Sequence, residues 1–424
     1  MEIELWDRET RVSLQEAQQH IRADAVVVDG EWVPLGRACG RVLAEAVGAR
    51  RDEPASPRAA VDGYAVRSRD VEAIFSRRDV ALSVVGTMNA GQLSPHEVRQ
   101  GEAVRVATGA VMPGGADAVV PHEVTETAAE GIRVRVPVAP GNGIVPAGAE
   151  FHRDQHLVAP GTALRPVELT VLAIAGCARV RVRRRPRVAV LATGDELVEL
   201  EAMPGPEKVV ASNLYTVVHL VKSCGGKAIP LGIVRDSLGS VIRAIEQGME
   251  ADVLVTTGGT GKGNRDLISA AVAAVGGCLR FQGVAISPGK QSLFGRLGRT
   301  LLFGLPGRPS ATHIAFEQLV RPALLGMLGV SRVTLPETGA TLSHSIRVKG
   351  NVHSFLHSRL RLGPHGSQVR VLRSEATQGM LTGMLGANAL LKVPPGRENL
   401  DAGERVQVQL LDLDLGSLSY FSLP

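Results

Sequence analysis

Val253-Leu-Val-Thr-Thr-Gly-Gly-Thr-Gly-Lys-Gly-Asn-Arg-Asp266 is the stretch on which the reading of this chain turns. The apolar run at 253–255 reads as a strand buried on both faces, as in a parallel sheet. Glycines at 258, 259, 261 and 263 interrupt it, and Arg265 and Asp266 lead into an apolar-periodic helix over 267–275. A strand, a glycine-rich loop and a helix N-terminus in that order make an anion site. Glycine lets the backbone approach a phosphate, and free N–H groups with the helix dipole favour negative charge. A lone Gly-Gly pair is better read as a tight turn that binds nothing. Four glycines with Thr260, Lys262, Arg265 and Asp266 among them favour a phosphate loop. It is neither a P-loop, since Gly261-Lys262 is followed by Gly263, nor a Gly-x-Gly-x-x-Gly dinucleotide fingerprint.

Outward from this stretch, residues 187–326 alternate strand and helix. Strands are predicted at 188–191, 228–234, 253–255, 279–286 and 300–303. Helices are predicted at 213–224 with Ser212 as cap, at 238–248 with Asp236 or Ser237 as cap, after Asp266, and at 310–328. This order predicts an α/β domain with a mainly parallel sheet covered on both faces. Ligands of such sheets sit at the carboxyl ends of the strands. Five loops should meet there: 193–196, 235–236, 256–266, 287–290 and 305–308. All carry glycine, charge or both.

Toward the N-terminus, Ser13 and Glu16 form a capping box ahead of Leu14, Ala17 and Ile21 at helical spacing. A second helix-like stretch covers 34–45. The proline-bearing segment 50–58 reads as a domain crossing. Strands at 81–85, 103–106, 118–120 and 132–136 predict a small, inserted β-rich domain. A helix at 168–175 returns the chain to an α+β first domain, and the basic segment 179–186 reads as a solvated edge strand before a boundary. Strands at 347–352, 369–372, 389–393 and 405–411 predict a C-terminal β-barrel-like domain. The expected division is 7–49 with 138–182, 50–137, 183–330 and 331–424. His353 and His357 have helical ligand spacing, but their strand-rich setting favours ordinary core or surface histidines over a metal site.

The 424 residues carry a net charge of +5, a mild attraction to anions. Only 13 residues are aromatic, too few stacking platforms to favour nucleic acid. Cys39, Cys177, Cys224 and Cys278 lie far apart without Cys-x-x-Cys spacing, which fits free thiols in a reducing cytoplasm. The N-terminal residues do not read as a secretory leader, and no apolar run is long enough for a membrane span.

Six motifs, in order, resemble the MoeA family of molybdopterin molybdenumtransferases, to which the E domain of gephyrin is similar. They are Asp62-Gly-Tyr-Ala-Val-Arg67, Thr108-Gly-Ala-Val-Met-Pro-Gly-Gly-Ala-Asp117, Ala192-Thr-Gly-Asp-Glu-Leu197, Ile286-Ser-Pro-Gly-Lys290, Gly304-Leu-Pro-Gly-Arg-Pro309 and Ala402-Gly-Glu-Arg-Val406. The resemblance implies a transferase of molybdenum-cofactor synthesis that takes adenylylated molybdopterin, releases AMP and places molybdate on the dithiolene with magnesium. It also implies a four-domain, elongated, cytoplasmic homodimer whose N-terminal domain dimerises. A molybdopterin adenylyltransferase and cofactor-accepting molybdoenzymes would be its partners. By motif position Asp62, Glu196, Asp266 and Lys290 are implied to be catalytic, and Asp62, Glu196, Asp236 and Asp266 to hold the metal. Thr108, Gly109, Thr193, Gly194, Gly258, Gly259, Thr260, Gly261, Lys262, Pro288, Gly289, Pro306, Gly307 and Arg308 are implied to bind substrate. The chain departs from the family pattern at Val145 and Glu150, where Arg and Asp are usual, and at Gly261, Asn264, Ser287 and Arg308. Thr256-Thr-Gly-Gly-Thr-Gly261 looks more like the companion adenylyltransferases of MogA and MoaB type. Adenylyl transfer to molybdopterin, or a weakened pterin-binding scaffold, are therefore the alternative functions.

Overall fold

The protein is described from a computed structural model, which covers residues 11–72, 80–93, 95–259, 265–348, 350–364, 366–372 and 381–411, with Arg265 and Asp266 in backbone only. The chain forms two compact units. Trp32–Val182 make one, and Met1–Glu31 with Arg183–Pro424 make the other.

The larger unit holds a six-stranded sheet. In chain order its strands are β1 (Arg187–Thr193), β2 (Lys227–Val234), β3 (Val253–Thr257), β4 (Cys278–Gln282), β5 (Leu293–Leu297) and β6 (Thr300–Leu305). They lie side by side as β2-β1-β3-β6-β5-β4. β1, β2, β3 and β6 are parallel, and β5 runs antiparallel to both neighbours. One face carries Ala189, Leu191, Leu254 and Leu302 against Val241, Ile245, Ile268 and Val272 from the helices Leu238–Gly248 and Arg265–Ala274. The alternate residues Val188, Val190, Val253, Val255 and Phe303 are equally buried. Covering on both faces is what makes such strands read as unbroken apolar runs.

Three expectations change here. The predicted strand 279–286 is two elements. β4 ends at Gln282, and after Gly283 (φ +104°) the chain leaves the sheet. Ile286-Ser287 then pairs parallel with His353-Ser354 of the C-terminal domain. β5, unassigned from sequence, forms a hairpin with β6 through Gly298 (φ +60°) and Arg299. The long helix is interrupted. Pro309–Ala315 and Arg321–Met327 are joined by a π-helical turn, Phe316–Val320, that ends two residues before Pro322. Proline offers no N–H to the helical ladder, so the turn ahead of it widens.

At the helix starts, Ser237 caps Leu238–Gly248 by accepting from the Ser240 N–H at 3.3 Å. Ser212 is the first residue of its own helix, which has no side-chain cap. The capping box at Ser13 is present, with Glu16 N–H donating to Ser13 Oγ at 3.1 Å and Ser13 N–H to Glu16 Oε2 at 2.7 Å.

The C-terminal strands Glu337–Leu342, His353–Gly363, Gly366–Val371, Ala389–Val393 and Arg405–Leu410 close into a five-stranded barrel. Leu356, Leu360, Val369, Leu391 and Val408 fill it. His353 and His357 therefore lie on a strand, where spacing of four does not make a helical ligand pair.

In the other unit, a six-stranded sheet runs Ala118–Pro121, Gly63–Val66, Glu102–Val106, Val80–Met88, Gly131–Val134, Thr125–Ala128. The helix-like stretch 34–45 is not a helix. Leu35–Arg37 make one 3-10 turn, and Gly40 at φ +70° ends any continuation. Among the described residues no helix is long and apolar enough to cross a membrane.

Candidate active site

β1, β3 and β6 end side by side, and their loops pack against one another. Gly258, the first residue past β3, has φ +85°, and a Cβ there would stand 2.4 Å from the Thr193 carbonyl oxygen. A Cβ on Gly307 would come within 3.6 Å of Gly258 Cα. The Gly258 N–H donates to Leu305 O at 3.1 Å. The first glycines of the opening stretch thus allow three loops to close up on one another.

Beside this junction lies a cavity of about 570 Å³. Thr193, Glu196, Lys208, Asn213, Gly258 and Arg308 are among its walls, with Leu381 from the C-terminal region. Glu196 reaches back over Gly194, and a Cβ on that glycine would meet both carboxylate oxygens at 2.7 Å. Lys208 Nζ donates to Asp195 O at 2.7 Å, which ties the arm carrying it to the loop after β1. Asn213, 8% exposed, donates from Nδ2 to Gly307 O at 2.8 Å and fixes the loop after β6. Asp236, at the end of β2, accepts from Thr193 Oγ1 at 2.5 Å, and its N–H donates to Asp195 Oδ1 at 3.2 Å. Ser237 performs the helix capping that would otherwise explain Asp236.

Thr193, Gly194, Glu196, Asp236, Gly258, Gly259, Gly307 and Arg308 are brought together at this rim, whereas Pro306 is buried beside it with its carbonyl accepting from Thr312 Oγ1 at 2.5 Å. Pro288, Gly289 and Lys290 lie on the loop between β4 and β5 at the outer side of the sheet, and they do not line the cavity. Thr260, Gly261, Lys262 and the Asp266 side chain lie outside the described residues. Asp62, Thr108 and Gly109 belong to the other unit. There, Asp62 Oδ1 accepts from both the N–H and the hydroxyl of Thr108, at 2.7 and 2.9 Å. The Thr108 N–H first, and its hydroxyl second, hold the Asp62 carboxyl below its ordinary range. Val145, at a position of usual arginine, pairs across its short ladder with Arg58.

Lys208 and Asn213 were not anticipated. Lys208 is the first lysine in the chain, an isolated cation in an arginine-rich sequence, and that was the available signal.

Three family models match the chain in succession. Residues 12–176 match the MoeA N-terminal region (domain I and II), 189–326 a probable molybdopterin binding domain, and 340–411 the MoeA C-terminal region (domain IV). A Nostoc protein named molybdopterin molybdenumtransferase is 31% identical over 390 residues, 91% of this chain and 89% of that protein. The chain belongs to the MoeA family. A Bacillus subtilis MoeA-family protein of the same name is 30% identical over 421 residues, 97% of this chain and 96% of its own. The crystal structure of the molybdopterin biosynthesis MoeA protein from Pyrococcus horikoshii OT3 is 29% identical. It has a TM-score of 0.81 and covers 95% of this chain and 100% of that one. Membership places the chain among transferases of molybdenum-cofactor biosynthesis, and the MoeA fold accounts for the central α/β domain and the C-terminal barrel together.

Proposed function

We propose that the chain inserts molybdate into adenylylated molybdopterin and releases AMP. The observation that carries this reading is the cavity at the ends of β1, β3 and β6 in a MoeA-family chain. Its volume of about 570 Å³ suits a nucleotide-sized ligand. Lys208 and Arg308 offer cations to the phosphates, and the planar guanidinium of Arg308 can grip one phosphate with two N–H groups. Glu196 supplies a carboxylate on the same wall. Asp62, Asp266 and Lys290 enter as catalytic groups on motif position.

Among the described residues no three His, Cys, Asp or Glu side chains are grouped to hold a metal. Magnesium asks for only one or two carboxylates and takes its remaining oxygens from phosphate and water. Glu196 and Asp236 fit that demand, so magnesium would arrive with the phosphate-bearing substrate and neutralise its charge. The chain's own contribution is then to orient the phosphates with Arg308 and Lys208. A homodimer in the cytoplasm, served by an adenylyltransferase and serving molybdoenzymes, completes the proposal on the strength of the family resemblance.

The test incubates the protein, magnesium and molybdate with molybdopterin-AMP, and follows AMP release and activation of a cofactor-free molybdoenzyme together. Both should rise in step. AMP without active cofactor would mean that the oxyanion half went with Ser287 and Val145. ATP consumption with free molybdopterin, and neither product from molybdopterin-AMP, would make the protein an adenylyltransferase.

A further inference from the structure

The barrel region carries an excess of basic residues. Between residues 337 and 411 stand nine Lys or Arg against five Asp or Glu. On the hairpin His353–Gly363 and Gly366–Val371, Ser358, Leu360, Val369 and Val371 are buried in the barrel. The alternate residues Arg359, Arg361, Gln368 and Arg370 share the outer face. The register sets Arg359 directly opposite Arg370, and Arg361 opposite Gln368. Side chains so placed start about 5 Å apart, and like charges there weaken the pairing. Arg359 Nε donates to Gly386 O at 3.2 Å, a backbone contact beyond the hairpin.

The three guanidinium groups line a cleft of about 770 Å³, with Ser343, His344 and Thr382 on its other walls. No Asp or Glu is among the described residues that line it. It shares no wall residue with the cavity of Glu196 and Arg308. Guanidinium forks converging from adjacent strands, with hydroxyls opposite, match an anion that presents several oxygens at once. We propose that this cleft is a second binding site, for a small anion that carries a pyrophosphate group. A diphosphate spans the Arg359–Arg370 pair and Arg361 together, where a single phosphate satisfies one fork. The proposal is independent of the reaction assigned to the other cavity.

Calorimetry on the full chain with sodium pyrophosphate at low salt tests it. The expected dissociation constant is below about 1 mM. Removal of two charge-assisted contacts in the double variant R361Q/R370Q should weaken binding by at least about tenfold. Both arginines are exposed, so its melting temperature should hold. R370K should be intermediate and guards against a folding defect in the double variant. Added to R308Q, which removes the phosphate grip of the other cavity, R361Q/R370Q should cause the same loss, and inorganic phosphate should bind the cleft more weakly than pyrophosphate. No binding by the wild type would overturn the proposal, as would equal binding by the wild type and R361Q/R370Q. An oligoglutamate peptide that displaces pyrophosphate and binds more tightly would overturn it too, and would make the cleft a peptide site. No molybdopterin substrate is used, so the result is separate from the fate of the transferase reading.

Discussion

Gly258 carries two constraints at once, a left-handed backbone and a neighbouring carbonyl 2.4 Å from where a Cβ would stand. Gly258→Ala should therefore destabilise the protein by about 2–3 kcal/mol, read as a lower urea midpoint with an unchanged slope. An unchanged midpoint would show that the loops after β1 and β3 relax apart. Arg308 is exposed and opens onto the cavity, so its loss should act on ligand rather than on fold. Arg308→Gln should weaken AMP binding about tenfold, with no change in melting temperature. Lys290 is also exposed but lies away from the cavity walls. If it serves the oxyanion, Lys290→Ala should leave AMP affinity alone and lower active cofactor formed from molybdopterin-AMP and molybdate. Much of this residue scale is legible in sequence, because Glu196, Gly258 and Arg308 all lie within three residues of a strand end. Lys208 is not, because it reaches the cavity through a two-residue ladder, Leu197-Val198 with Val209-Val210, too short to announce itself by pattern.

At the scale of elements, the helix Pro309–Ala315 meets the barrel through one histidine pair. His313 Nδ1 and His357 Nε2 are 3.0 Å apart, with stacked rings, beside a cavity that Glu317 and His219 also line. Burial, and then the charge of His313, push His357 down to about 3. The unfolded chain takes up this proton near pH 6.5 and the folded chain does not. The contribution of His357 is therefore complete above about pH 6.5 and falls by up to about 1.4 kcal/mol per pH unit as the pH drops from there toward 3. Urea midpoints at pH 7.5 and 5.5 should separate further in the wild type than in His357→Gln. Equal separations would show that His357 titrates normally. Pairings of this kind between distant elements leave no local trace, and nothing in the spacing of His353 and His357 points to His313. The stretch 34–45 misleads for a different reason. Leu35, Ala38 and Val42 keep helical spacing, but Gly36 and Gly40 favour turns, and packing elsewhere leaves a single 3-10 turn. Where local chemistry and tertiary need agree, as at Ser13 with Glu16, the reading holds.

For the whole molecule, the proposal of a homodimer predicts twice the 44.7 kDa chain mass by light scattering at micromolar concentration. A strict monomer would count against it. The alternation of strand and helix makes the α/β domain plain in sequence, and short strands between glycines and prolines make the β-rich regions plain. The order of strands within sheets is less accessible, because it depends on pairings between residues far apart. β5 escapes notice since its apolar run merges with that of β6 across Gly298 and Arg299. Ile286-Ser287 is the sharpest instance: a piece of chain between two strands of the central sheet lends its edge to the barrel. The two folds are thus sewn together by a stitch that no cut near residue 330 would respect. A barrel produced alone would lack that border, and a central domain produced alone would keep a loose thread. Cleavage at that boundary would part the Ile286-Ser287 pair from its partner strand, at a cost to the firmness of both pieces.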